Sequence, residues 1–360
     1  MRTTLLRCIL ILTLCTTACT TAVFSEDTLA TEKRIIVITP SKNRNEISVK
    51  EVATADSEKA PDGGYFANPA ILDCFAEMKY FYTGGRYENH PIHFCLRFPN
   101  RIEEGKTYPL IIWLHGVGEG TGDNKRHLAH LQSMFDSFVG KTSVDFFLLA
   151  TQCPADNNSW TNSISSQGKG DAALTINHEI AEALLEEYPI DRDRISVAGV
   201  SSGGSMTWHY ASLYPDFFAA ILPLSSGPPS SSPDVFKNMS VWAFNNRYDV
   251  QAPWKDVKNY VDRINASGGR AWQTLNMTSS SHDTWTEAMR IHKAVVWLTL
   301  QKRGDRIAPP PGTICYFRPY HETVLMFYLP IGILVMMVVC FVRKSTVCES
   351  RHDMTIPATD

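Results

Sequence analysis

The segment Gly199-Val200-Ser201-Ser202-Gly203, with Gly204 behind it, constrains the chain more than any other stretch. It follows the apolar run Ile195-Ser196-Val197-Ala198 and precedes a helical pattern from Met206 to Leu213, an order of strand, sharp turn and helix. A serine at the tip of such a turn holds strained backbone angles, and strand and helix can close on it only where the flanking positions lack a Cβ. Gly199 and Gly203 fill those positions. The turn lifts the Ser201 hydroxyl to the C-terminal edge of a sheet and aims the Ser202 N–H at the space where an oxyanion would form. A plain Ser/Gly loop would also match the five-residue pattern; the strand before it and the helix after it favour a nucleophile.

The pattern on either side supplies the sheet. Ile92, Phe94, Leu96 and Phe98 alternate with polar neighbours or Cys95, as in a half-buried strand. The segment from Pro109 to His115 and that from Val144 to Ala150 are nearly continuous apolar runs, suited to parallel strands covered on both faces. Asp171 to Tyr188 reads as a helix ended by Pro189. Beyond the nucleophile turn come strands at Ala219 to Leu224, Val241 to Asn245 and Ala271 to Leu275, with helices at Trp254 to Ile264 and Thr286 to Gln301. Strands alternating with helices imply an α/β fold, a mostly parallel sheet with helices on both faces. Residues 23–64 read as a linker or poorly ordered arm that contains one short strand-like run, Ile35 to Thr39.

If Ser201 is a nucleophile, it needs a base, an acid to orient that base and a second oxyanion donor, each at the C-terminal end of a strand. Asp249 lies four residues beyond the strand ending at Asn245, and His282 lies in the polar turn Ser279 to Asp283 ahead of the last helix. The order Ser, acid, His is that of α/β-hydrolases. Alone, Asp249 reads as a turn former and His282 as a loop histidine; three ordered hits at three strand ends reverse that. Asp283 is the rival acid, but its adjacency to His282 leaves it poorly placed to reach the ring. His115-Gly116 after the strongest strand would let the Val117 N–H face the oxyanion opposite Ser202.

At these residues the chain resembles a known family. Tyr108 to Glu119, Asp123-Asn124, Ala150 to Pro154 with Trp160, Ile190 to Gly204, Tyr214 to Ala220 and His282 to Trp285 are similar to the single-domain α/β-hydrolases of the polyhydroxybutyrate-depolymerase and feruloyl-esterase type, whose members are also labelled predicted peptidases or phospholipase/carboxylesterases. The resemblance covers about residues 80–303 and implies the α/β-hydrolase fold, with a triad of Ser201, Asp249 and His282. Two departures stand out: Asn245-Asn246 replaces the usual His-Gly before the acid, and Ser202 follows the nucleophile where Met or Gln is frequent. Trp160 and Trp285 are candidate substrate-binding walls for a flat ring, a sugar or an aromatic acyl group.

The remaining segments frame a domain of residues 65–303. Residues 1–22 carry Arg2 and Arg7, then an apolar run and small residues, the layout of a secretory signal peptide. Thr323 to Val342 is uncharged for twenty residues, long enough to span a bilayer as a single C-terminal helix, and Arg343-Lys344 follow as a positive flank. Residues 304–322 are then a Pro-rich spacer and 343–360 a cytoplasmic tail. The expected location is a membrane, single-pass, with the catalytic domain extracytoplasmic.

Net charge is -3 without a long basic run, so no nucleic-acid partner is expected. Cys74 with Cys95 is the favoured disulfide, and no Cys/His spacing calls for a metal or other cofactor. His127 and His130, one helical turn apart, read as an exposed face. Asn157, Asn238, Asn265 and Asn276 fit glycosylation sequons. The sequence therefore points to an ester-cleaving serine hydrolase acting on a small-molecule or polysaccharide ester, with a serine peptidase of the same fold or a non-catalytic α/β-hydrolase binding module as alternatives.

Overall fold

The structure, a computed structural model, describes residues 35–39, 67–81, 91–120, 123–138, 145–153, 160, 173–305, 307–310 and 315–316. Its centre is strand β4 (Tyr108–Leu114), all seven residues of which are buried. At β4, alternate side chains feed two cores: Leu110, Ile112 and Leu114 enter one, Ile111 and Trp113 the other. At roughly 1.5–3 kcal/mol for each large apolar side chain taken out of water, such a strand anchors both layers.

Ten strands form one sheet in the order β1-β2-β3-β5-β4-β6-β7-β8-β9-β10. The others are β1 (Ile35–Thr39), β2 (Ala76–Phe81), β3 (Pro91–Arg97), β5 (Phe147–Thr151), β6 (Ile190–Val200), β7 (Ala220–Leu224), β8 (Ser240–Asn246), β9 (Arg270–Asn276) and β10 (Cys315–Tyr316). Pairings from β1 to β5 through β3 are antiparallel, and those from β5 through β4 to β10 are parallel. The mixed sheet thus has an antiparallel edge on a parallel centre, the form in which parallel strands stay covered on both faces.

The helices are α1 (Pro69–Leu72), α2 (Gln132–Phe138), α3 (Ala173–Glu187), α4 (Ser202–Leu213), α5 (Trp254–Ala266), α6 (Trp285–Arg290) and α7 (Ala294–Leu300). Leu174, Ile180 and Leu184 of α3, Met206, Trp208 and Tyr210 of α4, and Val257 and Ile264 of α5 fill one core. Met134 and Phe135 of α2, Met289 of α6 and Trp297 of α7 fill the other. This is the α/β-hydrolase fold.

Three expectations change. Ile35–Thr39 is not an isolated run: it pairs antiparallel with β2, so the sheet takes in part of the segment read as a linker. The last helix is two, α6 and α7, because Lys293 adopts a left-handed φ of 55° between them. Cys315–Tyr316, read as part of a spacer, pairs parallel with β9 at Leu275 and Asn276.

Cys74 and Cys95 are buried thiols and are not bridged to each other. The Cys74 thiol donates to the Ala70 carbonyl within its own turn, while Cys95 on β3 donates to the Asn124 carbonyl. Burial, with the charge of Glu77, pushes the Cys95 thiol pKa far above its ordinary value, so it stays protonated. Two of the sequons are also occupied by the fold: the Asn265 amide donates to the Ala271 carbonyl, and the buried Asn276 amide donates to Glu287. Among the described residues no helix is long and apolar enough to cross a membrane. The signal-like residues 1–22, the run Thr323 to Val342 and the tail lie outside the described residues.

Candidate active site

Ser201 stands between β6 and α4 at φ 55° and ψ -119°, angles that a non-glycine residue holds only where its surroundings enforce them. The enforcement is local packing. A Cβ on Gly199 would lie 2.6 Å from the Gly203 carbonyl carbon, and one on Gly203 would lie 2.6 Å from the carbonyl carbon of Leu114 at the end of β4. Only glycine lets helix, turn and central strand meet here. The Ser201 N–H donates to the Leu224 carbonyl at 2.9 Å, which ties the turn to the end of β7.

His282 and Asp249 converge on this serine. His282 Nε2 lies 2.9 Å from Ser201 Oγ, and His282 Nδ1 lies 2.7 Å from Asp249 Oδ2. An ionised carboxylate only accepts, so Nδ1 carries the proton and Nε2 is left to accept from the serine hydroxyl. The other carboxylate oxygen of Asp249 accepts from the Gln251 N–H at 2.9 Å, and the residue is 7% exposed. Asp283 is engaged elsewhere: its carboxylate accepts from the N–H and hydroxyl of Thr286 at the start of α6.

The turn that carries His282 is held by residues the sequence did not single out for this purpose. Asn246, at the end of β8, donates its amide to the carbonyls of Ser281 at 2.7 Å and Asp283 at 3.3 Å. The Ser225 hydroxyl donates to the His282 carbonyl and also bonds Thr284 Oγ1. Ser225 itself sits at φ 50° just beyond β7. The neighbouring Asn245 amide donates to the Ser226 carbonyl and its carbonyl accepts from Gln273. The pair that departs from the usual His-Gly therefore clamps both loops around the triad. The departure was the available signal; only the three-dimensional turn shows what it does.

The second strand end supplies the oxyanion side. A Cβ on Gly116 would lie 3.7 Å from the Val200 carbonyl and 3.8 Å from Ser201 Cβ, so the turn that leads to Val117 abuts the nucleophile. Its geometry is fixed by His115, which is buried and whose Nε2 accepts from the Cys153 N–H at 3.0 Å. The proton is then on Nδ1, which donates to the Gly116 carbonyl at 2.7 Å. Burial holds His115 below its ordinary pKa despite nearby Glu119, as an accepting Nε2 requires. Val117 is 66% exposed, and Ser202 opens α4 with a hydroxyl that has no hydrogen-bond partner.

The two tryptophans part company. Trp160 is 1% exposed; its indole N–H donates to the His115 carbonyl at 2.8 Å and its ring lies 4.9 Å from the His115 imidazole. It is a core residue that braces the turn, and it cannot stack on a substrate as expected. Trp285 is half-buried, with its ring perpendicular to His282 at 6.1 Å between centroids. His127 and His130 do not form an exposed face. His127 is fully buried and pushed down to about 3, first by burial and then by His115, so it is neutral. His130 is paired with Glu119 at 3.1 Å.

The family described as "Putative esterase" matches residues 86–301. Poly(3-hydroxyalkanoate) depolymerase C of Paucimonas lemoignei is 28% identical over 151 residues, which cover 37% of this chain and 34% of the depolymerase. Among solved structures, a thermostable esterase superposes with a TM-score of 0.55 at 25% identity, covering 65% of this chain and 64% of the esterase. The chain therefore spans about a third of the length of the depolymerase and less than two thirds of that of the esterase.

Proposed function

This chain belongs to the Esterase family, and we propose that it is a membrane-tethered, extracytoplasmic serine hydrolase that cleaves carboxylic esters through an acyl-enzyme on Ser201. The observation that carries this reading is the unbroken chain from Asp249 through His282 to Ser201, at 2.7 and 2.9 Å. His282 Nε2 takes the proton as Ser201 Oγ attacks the ester carbonyl, while Asp249 steadies the imidazolium. The carbonyl oxygen becomes an oxyanion and receives the N–H groups of Val117 and Ser202. Collapse breaks the C–O bond, and His282 returns its proton to the departing alcohol. Water, activated by the same imidazole, then releases the acid and restores Ser201.

Family membership and the relative that depolymerises a polyester favour esters over amides, whose leaving group needs fuller protonation. The segments between Ser201 and Asp249 and between Asp249 and His282 are taken up mostly by α4, β7, β8, α5 and β9. The longest connection, residues 225–239, carries a 3-10 helix at Pro233–Phe236, which leaves too little chain there for a large lid. Trp285 beside His282 is the wall against which a sugar or aromatic group would lie. The substrate class we favour is therefore a short acyl, acetyl or feruloyl ester on carbohydrate. The tether rests on the sequence alone: an uncharged run from Thr323 to Val342 with Arg343-Lys344 behind it.

The test is a comparison of kcat/KM across short-chain, long-chain, feruloyl and acetylated-sugar esters and peptide amides. Short or feruloyl esters lead on this reading. A clear preference for peptide amides would assign a peptidase, and one for long acyl chains would overturn the open-site argument.

A further inference from the structure

Behind Trp285 lies a second acid–histidine pair that the triad does not use. Glu119 follows the oxyanion turn, and its Oε1 lies 3.1 Å from the point a Gly116 Cβ would occupy, the same point that is 3.8 Å from Ser201 Cβ. The carboxylate is thus packed against the turn that presents Val117, with its side chain 12% exposed. Its backbone is fixed there by Gln152, whose amide donates to the Glu119 carbonyl and whose own carbonyl accepts from the Asn124 N–H. His130 Nε2 stands 3.1 Å from Glu119 Oε1. The His130 ring lies tilted against Trp285 at 4.7 Å between centroids, and the same indole meets His282 edge to face at 6.1 Å.

A bare carboxylate beside an oxyanion hole opposes the charge that the transition state must build there, and it does so strongly in a partly buried, low-dielectric site. We propose that the Glu119–His130 ion pair sets the charge of the oxyanion side of the site: while His130 is protonated the pair is neutral and turnover is fast, and once His130 loses its proton the exposed charge of Glu119 slows it. The proposal rests on Ser201 being the nucleophile. Neither residue touches the reacting atoms; both are positioning residues that act through the field at the turn.

Burial works against a charged His130, but the hydrogen bond and charge of Glu119, with Asp283 behind them, outweigh it and hold the imidazole above its ordinary pKa. Other titratable groups near it are His115, kept neutral by burial, and His282, which meets the same Trp285. Asp123 lies near enough to act on His115, and the buried His127 is neutral. The proton is therefore held to higher pH than on a free imidazole and leaves as pH rises further, which gives kcat/KM an alkaline limb.

The experiment measures kcat and KM against pH for 4-nitrophenyl acetate, corrected for spontaneous hydrolysis, in the wild type and in Glu119→Gln, His130→Gln and the double variant. The wild type shows the alkaline limb and Glu119→Gln lacks it. His130→Gln leaves the carboxylate bare at every pH and lowers kcat roughly tenfold to hundredfold with little change in KM. The double variant recovers to within about threefold of the wild type, whereas a structural role would make it slower than either single change. An alkaline limb that persists in Glu119→Gln, or a double variant as slow as His130→Gln, overturns the proposal. The His130 ring titration, followed by NMR without any turnover, must move to lower pH in Glu119→Gln; an unmoved titration overturns it too. Turnover that survives Ser201→Ala would instead strike the nucleophile assignment alone.

Discussion

At the scale of single residues, the site is held by groups that never meet a substrate. Asn246 is the clearest, with two hydrogen bonds to the turn that carries His282. Asn246→Ala frees that turn, and a displacement of the imidazole of about 1 Å is worth on the order of a hundredfold in rate. The expected result is a 10- to 100-fold lower kcat with the circular dichroism spectrum unchanged; wild-type kcat in this variant would show that the clamp is dispensable. Such residues are where sequence reading reaches its limit. Ser201, Asp249 and His282 are legible because their chemistry demands particular residue types in a particular order at strand ends. Asn246 and Ser225 contribute only amide and hydroxyl groups, which any loop could carry. Trp160 misleads for a related reason: it borders the family motif, and nothing in its identity says that its indole N–H is spent on the His115 carbonyl.

At the scale of elements, most strands of the parallel centre were legible to within a few residues because they are buried on both faces and read as apolar runs, as β4 and β5 do. By contrast, β6 begins five residues ahead of its apolar run, at Ile190, through the polar and partly exposed Asp191 to Arg194. The antiparallel edge was harder. β2 alternates buried with half-buried positions over six residues and includes Glu77 and Lys79, too short and too polar a pattern to stand out. The break between α6 and α7 left no periodic mark either, since apolar residues continue on both sides of Lys293. Its left-handed φ carries a penalty of roughly 1–2 kcal/mol that glycine does not pay. Lys293→Gly is therefore expected to raise the unfolding free energy by about 1 kcal/mol in urea titration, and a loss of stability would place the left-handed geometry elsewhere.

At the scale of the whole molecule, one sheet gathers four strand ends at a single edge: β4 delivers the oxyanion turn, β6 the nucleophile, and β8 and β9 the loops of Asp249 and His282. That convergence is what turns residues up to 81 positions apart into contacts at hydrogen-bond distance. The account stands on Ser201 being the group that becomes acylated. A fluorophosphonate probe, which phosphonylates an activated serine, measures this directly when the labelled protein is digested and the modified peptide sequenced. The account predicts one modified residue, Ser201, and no labelling of Ser201→Ala that retains its native circular dichroism. Labelling that persists in Ser201→Ala, or a folded wild type that takes up no probe, would contradict it.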